Sequence, residues 1–76
     1  MEVMERTIHK LKIEPEYLNA LMIGLKTFEI RFDDRDYKVG DILDFGEFSF
    51  EVRYIHRGLG MQEGYVAMSV ELIGSI

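Results

Sequence analysis

In five separate stretches of this chain the apolar residues recur at every second position, and in one stretch alone they recur with helical spacing. That contrast limits the fold more than any other feature. Leu11 and Ile13 alternate with Lys10 and Lys12, and His9 shares the apolar parity. Phe28, Ile30 and Phe32 alternate with Thr27, Glu29 and Arg31. Leu43 and Phe45, then Phe48, Phe50, Val52 and Tyr54, form two more sets around a tight Gly46-Glu47 turn, and Val66, Met68, Val70 and Leu72 form the last. Period two marks a strand with one face turned to a core. Between the first and second sets, Leu18, Leu21, Met22 and Leu25 stand at i, i+3, i+4 and i+7. Glu14-Pro15-Glu16 precedes them, with proline suited to a first helical turn and acids suited to the positive end of the helix dipole. A helix over about 14–23 is predicted, ended by Gly24 in a left-handed conformation.

Five strands and one helix in 76 residues predict an α+β fold, a small mixed β-barrel of about five strands capped by the helix. Residues 1–7 are read as an N-terminal extension and 8–76 as the single domain. Because the helix ends directly before the charged second strand, the step from Gly24 to Lys26 falls at the barrel rim, a usual place for a ligand.

A domain this short buries only about 60–65% of its unfolded surface. Cysteine is absent, so packing alone, or pairing with a second copy as a weak homodimer, must hold the fold, and thiolate metal sites are excluded. A reducing cytoplasm is the expected location. The apolar runs are short and Met1-Glu2-Val3-Met4-Glu5-Arg6 is acidic, so neither a membrane span nor a secretory leader is expected. A net charge of −5 argues against a general binder of phosphate backbones, whose affinity comes from lysine and arginine displacing counterions. The acidic excess is uneven, however. Residues 39–76 hold two cations and six anions, whereas residues 26–38 hold four of each. An anionic ligand is therefore expected in a local pocket, which screening beyond about 8 Å isolates from the distant acids.

The spacing Gly24-x-Lys26-x-x-Glu29-x-Arg31 has two readings. Glu29 and Arg31, about 7 Å apart on one strand face, can be a solvated pair contributing under about 1 kcal/mol. Alternatively, Lys26, Glu29 and Arg31 bring a compact cation, an acceptor or base and a planar fork to one volume, a set suited to phosphate or carboxylate. Asp33-Asp34-Arg35-Asp36 reads as a solvated turn.

The same residues, followed by Val39-Gly40-Asp41-x-Leu43, resemble the signature of ASCH domains, which are small PUA-like β-barrels. The likeness extends to a subfamily of short bacterial and phage proteins through His9-x-Leu11-Lys12, Pro15-x-Tyr17, Lys26-Thr27-Phe28-Glu29-Ile30-Arg31, Asp34-Arg35-Asp36 and Gly64-Tyr65-Val66, over roughly residues 8–73. It implies a cleft between helix and barrel lined by Lys26, Glu29 and Arg31, with Gly24 at its rim and Asp41 near its floor, binding single-stranded RNA or a nucleotide. Some related domains are amidohydrolases that remove an acyl group from a modified cytidine with a lysine, a threonine and a glutamate. Lys26 matches that lysine, and Glu29 stands in the place of the threonine. The chain also carries Phe32 and Asp33 where the subfamily is more basic, which favours a small pocket ligand over a broad RNA surface.

Three functional readings follow: an RNA- or nucleotide-binding module; an amidohydrolase with Lys26 and Glu29 catalytic; and a structural or partner-binding accessory whose Lys26, Glu29 and Arg31 form an ion network. No cofactor is expected. His9 and His56 are the only histidines, sit in separate strands and do not suggest a metal site. Phe48, Phe50 and Tyr54 share the parity of Val52 and are assigned to the core. Tyr17 is assigned to core or helix-surface packing, with stacking on a base as the alternative, and Arg53 and Arg57 to a solvated face or to contact with phosphate. No serine has a local base, and Gly58-Leu59-Gly60 lacks the context of a phosphate loop.

Overall fold

A computed structural model describes residues 5–75. Its elements are β1 Ile8–Lys10, α1 Pro15–Met22, β2 Phe28–Phe32, β3 Ile42–Asp44, β4 Phe48–His56 and β5 Tyr65–Ser75. The strands form one sheet in the order β1-β3-β4-β5-β2. β1 runs parallel to β3 and the other pairings are antiparallel. The mixed sheet curls into a half-barrel carrying one short helix, an α+β fold as expected.

Local chemistry sets the element ends. Pro15 opens α1, and beyond its last turn Gly24 takes a φ of +81°, a conformation that favours glycine. The turn returns the Lys26 N–H to the Ala20 carbonyl at 3.0 Å, fixing the start of the charged segment against the helix end. Between β3 and β4 the Asp44 carboxylate accepts from the Gly46 N–H at 2.8 Å, and Phe45 N–H donates to the Phe48 carbonyl. β1 is shorter than the alternation predicts, although Leu11 N–H still reaches the Asp44 carbonyl. Of the extension expected over 1–7, Met1 to Met4 lie outside the described residues. Thr7 exchanges hydrogen bonds with Asp41 and Ile42, and Arg6 pairs with Glu51.

Leu43, Phe50, Val52, Val66 and Met68 form the centre of the core, and Leu21 from α1 closes over it. Four expectations about facing need correction. On β2 the polarity is inverted: Glu29 is buried, while Phe28, Ile30 and Phe32 lie on the open face. Tyr54 is 64% exposed. The register steps from Val52 opposite Val70 to Tyr54 opposite Ser69, leaving Arg53 as a bulge that reverses the parity and turns Ile55 inward. Leu25 lies beyond the glycine turn and is exposed, and Leu72 is only half covered. Tyr37, which follows the charged turn, is buried with its ring 4.7 Å from the His9 ring.

Candidate functional site

β2 is the last strand of the sheet order and β1 the first. No backbone ladder joins them. Instead the Arg31 guanidinium donates through Nη2 to the Lys12 carbonyl at 2.7 Å, and Arg35 Nη1 reaches the Lys10 carbonyl at 3.4 Å. Along this seam lies a cleft of about 800 Å³, walled on one side by Lys12–Glu14 and Tyr17 and on the other by β2 and Tyr65.

Three side chains predicted from the sequence meet there. Lys26 Nζ donates to Glu29 Oε1, and Arg31 Nε donates to Glu29 Oε2 at 3.0 Å. The Glu29 side chain is only 4% exposed, against 20% for Lys26 and 21% for Arg31. A buried carboxylate thus sits under two partly solvated cations, with a net charge of +1. The Lys26 ammonium stands 4.8 Å from the Tyr17 ring centroid and 5.6 Å from that of Phe28. The Arg31 guanidinium carbon lies 5.6 Å from the Phe45 ring centroid. These rings and the Lys12 carbonyl restrict both cations. Arginine has five N–H donors and lysine three, so both heads retain donors for an oxyanion after these bonds are made. Each Glu29 oxygen is already engaged by a cation.

Asp41 and Gly24 are placed elsewhere. Asp41 is buried on the far side of β1, where its carboxylate accepts from Thr7 N–H at 3.2 Å, from Lys38 N–H at 3.0 Å and bonds His9 Nε2 at 2.8 Å. Burial pushes this carboxyl up, but the bonds from His9, Thr7 and Lys38 together outweigh it, leaving it below the usual range. The cluster fastens β1, the segment before β3 and the residues preceding β1. Gly24 supplies the helix-ending turn and does not line the cleft. Arg57 binds Asp33 at 2.6 Å and the Tyr37 carbonyl at 3.0 Å, and Arg53 pairs with Glu51 and Glu71. The hydrogen bond from Arg57 holds Asp33 below its ordinary value, and the same bond raises Arg57. Burial raises the Tyr37 hydroxyl against the opposing charges of Arg31 and Arg35. Among the described residues no group of three His, Cys, Asp or Glu side chains is placed to hold a metal ion, and no helix is long and apolar enough to cross a membrane.

Lys12, Phe32 and Tyr65 also line the cleft, beyond the residues that the Lys-x-x-Glu-x-Arg spacing points to. The signal that finds the aromatic pair is hairpin register: Phe32 lies opposite Tyr65, with ring centroids 5.6 Å apart edge to face. Fold and cleft together define a small α+β domain whose half-barrel carries a cationic cleft along its open seam. The chain belongs to the family described as Domain of unknown function (DUF3850), whose model matches residues 8–70. Comparison with curated proteins gives no significant match.

Proposed function

We propose that the seam cleft binds a nucleotide, free or as a unit of single-stranded RNA, with Arg31 and Lys26 on phosphate. The observation that carries this reading is the carboxylate of Glu29 clamped between two cations that keep open donors facing the cleft. A carboxylate so placed positions the cations rather than contacting the ligand. The guanidinium fork suits two phosphate oxygens, and Tyr17 and Phe28 bring aromatic surface to the lining beside Lys26. We read the half-barrel as PUA-like and the family as kin to ASCH domains, on the order of helix, glycine turn and Lys-x-x-Glu-x-Arg strand. The amidohydrolase reading has weaker support, because Glu29 has both oxygens engaged and replaces the expected threonine.

One contact favours a second reading. The bond from Arg31 to the Lys12 carbonyl spans the two sheet edges, so the network can serve solely to close the half-barrel. An amide NMR titration at low salt with uridine monophosphate and with a short mixed-sequence RNA separates the two. Shifts centred on Lys12, Lys26 and Arg31, weakened at least fivefold in Arg31→Lys, are expected. An unperturbed spectrum from a folded protein would reject nucleotide binding and leave the structural role.

A further inference from the structure

We infer that the ligand of the seam is a single-stranded oligonucleotide spanning two clefts, not an isolated nucleotide, an inference that rests on the nucleotide reading above. A second cleft of about 390 Å³ continues the first along the seam, and the two share Lys12, Arg31 and Phe32. It adds Lys10 and Arg35 to the lining. Across both clefts five cations face three anions, Glu14, Glu29 and Asp34, in a chain whose net charge is −5. Positive charge is therefore concentrated along one line, as a phosphate backbone requires.

Asp33 does not oppose this path. The sequence reads it as an acid where a basic residue would aid RNA binding, yet Arg57 engages both of its oxygens, at 2.6 and 3.3 Å. The inverted face of β2 supplies the other half of the recognition chemistry. Phe28, Ile30 and Phe32 lie open to solvent beside the cations, and Phe32 is braced edge to face by Tyr65. Aromatic rings lining a groove together with cations are the arrangement that stacks bases while phosphates are held. A mononucleotide uses only the Lys26 and Arg31 end. An oligomer continues past Arg31, over Phe32, toward Arg35 and Lys10.

The test compares uridine monophosphate with a uridine hexamer at 50 mM salt, for wild type and for the Lys10→Gln/Arg35→Gln double variant. Wild type is expected to bind the hexamer at least tenfold tighter than the monophosphate, with shifts at Lys10, Leu11 and Arg35, which line the second cleft alone, seen for the hexamer. In the double variant the ratio of the two affinities is expected to fall at least threefold. Equal affinities in wild type would overturn the two-cleft inference and leave nucleotide binding standing. Failure of both probes would overturn both. Shifts at Phe32 and Tyr65 that follow protein concentration but not the hexamer would overturn it by assigning the apolar face to a second copy.

Discussion

Glu29→Gln removes one buried charge while keeping the side chain's shape, and its cost follows from the geometry. The glutamine carbonyl can accept from Lys26 or from Arg31, and its NH₂ group must then face the other cation. Removing one member of a fully buried ion pair costs about 3–5 kcal/mol. Lys26 and Arg31 are each about one-fifth exposed and recover part of that through water, so a loss of about 2–3 kcal/mol is expected. A domain of this length has a total stability of about 4–11 kcal/mol. Urea unfolding at pH 7 should show it as a midpoint lowered by roughly 2 M, and a thermal scan as a fall of about 10–20 °C. Glu71→Gln is the control, since Glu71 is 63% exposed beside Arg53 and should lose no more than about 1 kcal/mol. If the two variants lose equally little, Glu29 is not a desolvated carboxylate and the account of the clamp fails.

Asp41 and Asp33 titrate below their ordinary values, so the stability they contribute is present above about pH 4 and is lost as the pH falls through their lowered folded values. Urea midpoints between pH 7 and pH 2.5 should drop on the acid side, and Asp41→Asn should be less stable at pH 7 with a shallower acid loss; an unchanged slope would remove Asp41 as its source. Gly64→Ala should cost about 1–2 kcal/mol, because its φ is +86° and a Cβ there would lie 3.0 Å from the Phe32 ring. Displaced Phe32 ring resonances should accompany that loss, and unshifted ones would contradict the packing. Tyr54→Ser should change stability by less than about 1 kcal/mol while Leu43→Ala loses about 2–5, and the reverse order by chemical denaturation would refute the bulge at Arg53.

Periodicity made the elements legible: α1 and four of the strands fall where the 3.6- and two-residue spacings predict, and β1 starts there but ends before Leu11 and Ile13. Which face each strand buries was less legible. On β2 both faces can be covered in principle, and the sheet's curl directs Glu29 inward because Lys26 and Arg31 are near enough to neutralise it. Local hydrophobicity does not carry that information. At Tyr54 one bulged residue reverses the parity of everything beyond it, and nothing in the Arg53 side chain announces the bulge. Tyr37 carries no core signal in the sequence because four charged residues precede it, although its ring completes the core beside His9. The convergence of Lys26, Glu29 and Arg31 is readable from their spacing, with Lys26 between a glycine turn and the strand that carries the other two. The position of Asp41 was not, since it depends on the parallel pairing of β1 with β3, which links residues more than thirty apart.

The seam is the one place where the curled sheet can part without losing a strand pairing. Backbone ladders bind each strand to its neighbour through the sheet, but between β2 and β1 the ring is split, held by the arginine contacts to the Lys12 and Lys10 carbonyls. Parting them costs roughly 1–3 kcal/mol and breaks no strand pairing. Opening along this one line would leave every ladder intact, and it is the line beside which Lys12, Lys26 and Arg31 stand.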